Sequence, residues 1–508
     1  MNAAVSHPAG PARADAFAWL AVAAGTIGAL MATLDISIVN ASLPTIQGEI
    51  GASPTEGTWV STSYLVAEII MIPLTGWCER VLGLRRFLLF ATGLFVLFSM
   101  WCGLSQTLPQ MIVGRVGQGF TGGAMIPTAL TIVAMRLPPQ QQPVGIALFG
   151  MTAVMGPVLG PLVGGWLTEN ISWHYAFFLN LPLGVGLIML IVLGLEPRRI
   201  DWAELRNTDV FGLLGLILGL GALTVVLEEG QRDRWFESEL IRWLTAVACA
   251  GFTLVAVGQL TSRHPIVRLS ILRSRSFGSA FAMNLMMGAA VYGILYIIPQ
   301  FLASVAGYNS EQSGLIAAIS GVPTLLMLAL FPVMVRIVDV RVAVAFGLAL
   351  YGASCFLDAQ LTPDSAGAQF VLTQVMRGFA QFFSILFLNQ AATSSVPPEL
   401  AADASGLFNA ARNLGGSFGL AAIAILQDSR TRLHLDRLSE TITANSFAAR
   451  QLTAPGALEQ LSNTLERQAT VMTYADLNWV FAVALIVMIP LVLALKPLPK
   501  DAPIAMGH

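Results

Sequence analysis

Three ionisable residues stand inside long apolar stretches of this chain. They are Asp35, in Leu34-Asp35-Ile36-Ser37-Ile38-Val39-Asn40, Glu68, and Arg115, in Gly114-Arg115-Val116-Gly117-Gln118-Gly119. A charge in hydrocarbon costs several kcal/mol unless it is paired or hydrated, so such groups mark proton relays and ion or substrate paths. Asp35 lies about six residues before the outer end of its run, roughly 9 Å at 1.5 Å per residue. Arg115 lies at a similar distance into a run that enters from the same side, so the two are expected to share a depth. Glu68 is ten residues into the second run, close to the midplane. An ionised carboxylate is costliest there, which suits a group that takes up and releases a proton. Each has a blander role open to it: an aspartate snorkelling near a helix end, an arginine in a static salt bridge, a protonated glutamate that only hydrogen-bonds a neighbour.

In the second half of the chain Arg377 takes the place of Arg115. Asn284, Asn409, Arg412 and Asn413 add a polar set that can line a substrate cavity or simply join helices. Lysine occurs only at 496 and 500, so no glycine-rich phosphate loop ending in lysine exists, and ATP hydrolysis is excluded. Energy must come from an ion gradient, with no cofactor. The five histidines are scattered singly, against a membrane-embedded transferase. The four cysteines have no metal-ligand spacing and read as small buried filler. A net charge of −2 gives no reason to expect a nucleic-acid partner.

The elements that must position these residues are membrane helices. With 508 residues, 55% hydrophobic, 11% charged and a mean hydropathy of +0.71, the chain is too apolar for a soluble protein of its length. Runs long enough to cross about 30 Å of hydrocarbon are expected near 18–41, 58–77, 87–105, 109–135, 144–168, 177–195, 210–227, 240–260, 277–303, 312–336, 341–360, 368–392, 404–427 and 475–495. The expectation is an all-α polytopic membrane protein of fourteen spans. Outside them only the first 17 residues and a loop over 428–474 exceed a short connector. In that loop Leu458, Leu461, Leu465 and Met472 suggest an amphipathic helix, and 432–438 suggests the start of another. Arginine placement puts both termini in the cytoplasm, and the first run, with Asp35 and no small-residue cleavage site, reads as a retained helix.

Two patterns carry more information than hydropathy. Gly76, Glu79, Arg80, Gly83, Arg85 and Arg86 crowd an acid, three arginines and two glycines into the link between two runs. Pro332, Arg336, Asp339 and Arg341 repeat those offsets 256 residues later, which implies two related halves. In the fifth run Gly156, Gly160 and Gly164 are spaced by four and form one smooth ridge, with Pro157 and Pro161 beside it.

The first pattern resembles the major facilitator signature Gly-x-x-x-Asp-Arg-x-x-Gly-x-Arg-Arg, with Glu79 in place of the aspartate. The second resembles the antiporter motif of facilitator exporters. With the segments Trp59–Leu65 and Trp173–Gly184, in which His174 stands where relatives carry arginine, nearly the whole chain is similar to the fourteen-helix drug:proton antiporter branch, and within it to EmrB-type permeases. The resemblance implies a six-helix bundle over 1–197, two inserted helices over 198–270 and a second bundle over 271–508. It implies proton-coupled export of hydrophobic or amphipathic compounds across a bacterial inner membrane, with Asp35, Glu68 and Arg115 coupling the proton. The Glu79, Arg80, Arg85 and Arg86 cluster would pair across the cytoplasmic gap as a gate, and the glycine ridge would seal the two halves. A periplasmic adaptor and an outer-membrane channel are the implied partners, with the 428–474 loop at the adaptor. Export of one endogenous compound, such as a siderophore or fatty acid, is the alternative.

Overall fold

The computed structural model describes residues 14–262, 265–440 and 457–497, and among them there is no strand. We number the long helices α1 (Ala16–Glu49), α2 (Trp59–Leu82), α3 (Leu84–Gly103), α4 (Leu108–Arg136), α5 (Gln142–Asn170), α6 (His174–Gly194), α7 (Val210–Glu229) and α8 (Glu239–Thr261). They continue as α9 (Arg275–Ser304), α10 (310–337, in three pieces), α11 (Val340–Asp358), α12 (Gly367–Ser394), α13 (Ala401–Glu440) and α14 (Ala457–Met488). Each expected run is helical. Among the described residues ten helices are long and apolar enough to cross a membrane, and α5 makes eleven if its two pieces, bent by 41° at 156–159, count as one span. The bend falls where Pro157 and Pro161 each remove a backbone donor.

The three that fall short, α2, α4 and α13, carry Glu68, Glu79 and Arg80, then Arg115 among five glycines, then Asp403 and Arg412. Their polar and small residues face one another: α13 packs on both α2 and α4. A helix whose polar side meets protein need not be apolar all round, and this is where buried polar groups in a membrane protein concentrate.

Helices α1 to α6 pack chiefly among themselves, as do α9 to α14. Helices α7 and α8 pair through Gly215, Gly219 and Gly251, and a side chain added at Gly251 would lie 2.6 Å from the Gly219 Cα. Helix α7 in turn lies on α2 and reaches α13.

Two expectations change. Helix α1 runs on through Pro44 to Glu49, so Asp35 lies fourteen residues, about 21 Å, inside its end, not six. The expected loop 428–474 is in its described parts, 428–440 and 457–474, a continuation of α13 and α14; residues 441–456 lie outside the described residues. The two extensions are clasped by Thr431 and Thr473, whose hydroxyls are 3.1 Å apart, and by His434 Nε2, 2.9 Å from the Asp476 carboxylate. Hydropathy ended these helices early because their extensions are polar outside the lipid.

Candidate functional site

Asp35, Arg115 and Glu68 are placed by glycine. On α4, Arg115, Gly119 and Gly123 follow at intervals of four. A Cβ at Gly119 would overlap the Tyr64 carbonyl, and one at Gly123 would lie 2.7 Å from the Glu68 carbonyl oxygen. The bare ridge lets α2 close on α4 at those two residues. On the other side of α1 a Cβ at Gly156 would sit 2.8 Å from Thr33, one at Gly160 would overlap Ser37, and one at Gly164 would lie 2.8 Å from the Ile38 carbonyl. The α5 ridge therefore packs within the first six helices, against the stretch of α1 that carries Asp35. This corrects the expectation that it seals the two halves. What α5 turns toward the second half is Gly150, against Leu386 and Leu328. Pro161 is exposed, and the side chain of Pro157 lies outside the described part.

Asp35 and Arg115 are each 1% exposed and form an ion pair at 2.6 Å. Gln118 and Asn180 both donate side-chain amides to Asp35 Oδ1, at 2.9 and 2.8 Å. The Arg115 Nε donates to the Val60 carbonyl at 3.0 Å, and its guanidinium lies 4.2 Å over the Tyr64 ring. Asn180 also donates to Ser99, which donates to the Phe177 carbonyl. Donors from α4 and α6 thus converge on one carboxylate of α1, whose charge is met by a cation and two neutral donors.

Glu68 follows Tyr64 by one helical turn on α2. It is 2% exposed, and the groups that face it are Arg115 from its own half and Arg412 and Asn413 on α13. Of the expected cavity residues, Arg412 and Asn413 meet this acid. Asn409 is turned inward along α13, donating to the Ser405 carbonyl at 2.9 Å while accepting from Arg412 at 3.1 Å. Asn284 is fully buried and donates to the Phe408 carbonyl at 2.6 Å, so it joins α9 to α13. Arg377 is elsewhere, paired with Asp358 at 2.5 Å and bonded to Gln374 at 3.3 Å.

At the arginine-rich end the halves meet tightly. Arg80 grips both oxygens of Asp403 on α13 at 2.8 and 2.9 Å, and its Nε donates to Glu204 on the short helix Trp202–Arg206 at 2.9 Å. Gly76 is the reason Asp403 can approach, since a Cβ there would lie 2.8 Å from its carboxylate. Ser405 donates to the Pro127 carbonyl at 2.6 Å. Gly83 turns the chain between α2 and α3 at φ +77°, open to glycine without strain. The cluster does not act as one unit. Glu79 accepts from Thr128 on α4 at 2.8 Å, inside its own half, and Arg85 and Arg86 make no ion pair among the described residues. In the repeated motif Asp339 caps α11, and Arg336 reaches the Gln140 carbonyl of the first half at 3.3 Å.

Sequence reasoning named Asp35 and Arg115 but not Gln118, Asn180, Tyr64 or Asp358. A polar residue in an apolar run was the available signal for Asn180, and spacing of three from Arg115 for Gln118. Asp403 stands just before an expected span, where an acid looks like part of a loop.

The Major Facilitator Superfamily model matches residues 25–420. Over 91% of both chains this protein is 33% identical to the Colistin resistance protein EmrB of Acinetobacter baumannii. It is 31% identical to the Multidrug export protein EmrB of Escherichia coli K12, over 93% of this chain and 94% of that one. With the Fatty acid resistance protein FarB of Neisseria gonorrhoeae it shares 30% identity over 96% and 97%. The human organic anion transporter MFSD10 superposes with a TM-score of 0.60 at 14% identity, over 92% of this chain and 99% of that one, a likeness of fold. With the described residues all helical or in connections, the family match over 25–420 and export-protein relatives along more than nine-tenths of its length, the chain is a multi-pass transporter and not an enzyme, and it belongs to the Major Facilitator Superfamily.

Proposed function

We propose that this protein exports hydrophobic or amphipathic compounds across a bacterial inner membrane in exchange for protons entering the cell. The observation that carries this reading is the line Asp35, Arg115, Tyr64, Glu68: a buried ion pair stacked on a tyrosine, one turn from an acid that faces the opposite half through Arg412 and Asn413. A proton from outside adds to a carboxylate of this line, which weakens its hold on arginine or on a bound substrate and frees the halves to rock. The same proton leaves inside once the acid is repaired to its cation. In this reading α1–α6 and α9–α14 are the rocking bodies, with α7 and α8 inserted, and all fourteen helices cross the membrane. The arginine-rich end is cytoplasmic, as are both termini, and Arg80–Asp403 is the gate.

The test is dye uptake into inverted vesicles under an imposed pH gradient, for wild type and Glu68→Gln. Gradient-driven uptake in wild type, with loss of gradient dependence in the variant, supports antiport; equal gradient dependence in both overturns Glu68 as carrier. We also assign the projecting ends of α13 and α14 to contact with a periplasmic adaptor leading to an outer-membrane channel. Unchanged co-purification of an adaptor after deletion of 440–470 would sink that contact. A narrower reading, export of one amphiphile such as a fatty acid, is favoured by the FarB relative. Transport of that compound with no dye transported would select it.

A further inference from the structure

Most acids in these helices are answered by a cation or a cap: Asp35 by Arg115, Asp358 by Arg377, Asp403 by Arg80, Glu229 by Arg232. Glu228, in the last turn of α7, is not. It is half-buried where α7 meets α13, and its partner is a single hydroxyl, Ser417, donating at 2.9 Å. The charged group beside it is another acid, Glu229, and no arginine or lysine among the described residues pairs with it. A carboxylate has about four acceptor positions, so one hydroxyl leaves it under-satisfied where the two helices meet.

Its backbone is fixed to the first half. Glu229 accepts from Thr62 on α2 at 2.9 Å and pairs with Arg232 at 2.8 Å, and Arg232 reaches Thr58 at 2.7 Å. The Glu228 side chain nevertheless points to the second half. Ser417 follows Asn413, which faces Glu68, by one turn of α13, so Glu228 lies about 6 Å further toward the far mouth. Tyr292 packs on α13 one residue from Ser417, where a Cβ at Gly416 would lie 2.7 Å from its ring, but the charged groups it meets are Arg412 and Glu68. A carboxylate with a single donor and no cation, where α7 meets α13, suits the charged head of an organic cation.

We propose that Glu228 is a specificity residue that receives the cationic head of an amphipathic substrate on its way out between α7 and α13. This rests on the export reading above. The competing role is a structural latch through Ser417, and the experiment separates the two. Ethidium, a permanent cation, and Nile red, uncharged, are followed in inverted vesicles with wild type, Glu228→Gln, Glu228→Asp and Ser417→Ala. Binding of tetraphenylphosphonium to the purified proteins is measured in parallel. The site predicts that Glu228→Gln lowers the ethidium to Nile red ratio of kcat/KM at least tenfold and weakens tetraphenylphosphonium binding at least tenfold. Glu228→Asp should restore most of both, and Ser417→Ala should keep the ratio within threefold. Equal loss of both dyes in Glu228→Gln, a Ser417→Ala variant that reproduces it, or an unchanged Kd would overturn the proposal. Wild type that moves neither dye, yet binds tetraphenylphosphonium in a Glu228-dependent way, would count against the export reading while leaving the site standing.

Discussion

Arg115 and Arg377 look alike in isolation. Each is 1% exposed, each is paired with an aspartate, at 2.6 and 2.5 Å, and each has a tyrosine near its guanidinium, at 4.2 and 6.0 Å. They differ in what lies around the pair. Asp35 collects donors from α4 and α6, and the Arg115 Nε is bonded to Val60. The Arg377 Nε has no partner, and Asp358 closes the end of α11. Tyr64 leads in one turn to Glu68 and the opposite half, whereas Tyr351 leads to Cys355 and stays within its own. Burial and pairing are common to both sites; what sets them apart is connection to the surface between the halves, and the proposed coupling role rests on that difference.

The largest expected effect tests that difference directly. Removing one partner of a buried pair costs about 3–5 kcal/mol, so Asp35→Asn and Asp358→Asn should both lower thermal stability in detergent. Gradient-driven dye transport should fall on the order of a hundredfold or more in Asp35→Asn, at the scale of a lost coupling group, and less than about tenfold in Asp358→Asn with folded protein recovered. Equal transport losses would break the comparison.

The two copies of the arginine-rich motif extend it. Arg80→Ala strips a bidentate partner from nearly buried Asp403, a loss of about 2–4 kcal/mol from the closed state, and should expose a cysteine placed at Ala402 to water-soluble maleimide. Arg336→Ala removes a 3.3 Å bond to a carbonyl and should change labelling little. The props of the two pairs come next. Asn180→Ala takes one of three donors from Asp35, and Gln374→Ala takes an acceptor from Arg377 together with bonds to the Ile316 and Ala317 carbonyls; each should cost about 1–2 kcal/mol, read as unfolding midpoints, but only Asn180→Ala should also lower gradient-driven transport. A last contrast, in stability alone, lies on α5: Gly160→Ala must push Ser37 and should destabilise by about 1–3 kcal/mol. Gly165→Ala meets nothing within 4 Å and should be neutral or gain about 0.5–1 kcal/mol.

The helices were legible because lipid imposes length and apolarity on each segment separately. Where protein replaces lipid as the neighbour, that rule loosens, and α2, α4 and α13 fall below it while meeting around Arg80 and Asp403. Asp35 and Arg115 could be named as a matched pair because both are charges in apolar runs at one depth. Asn180 could not be assigned to them, since its partner is 145 residues away and an amide in a membrane helix has many uses. The glycine ridge of α5 was visible, but periodicity names a smooth face and not the helix that lies on it. Glu79 and Arg80 are adjacent in sequence, so they point to different sides of α2, one into its own half and one across.

The unbroken run of α13 from Ala401 to Glu440 has a mechanical meaning. Forty residues at 1.5 Å each make a rod of about 60 Å, with Asp403 held by Arg80 near one end and His434 clasped to Asp476 near the other. A tilt of about 10° around its middle carries each end through about 5 Å, given an arm of about 30 Å. In the proposed export cycle, release of the Arg80–Asp403 pair is thereby converted into displacement of the helical pair at the far end, so the tip works as a pointer that reports a contact it never touches.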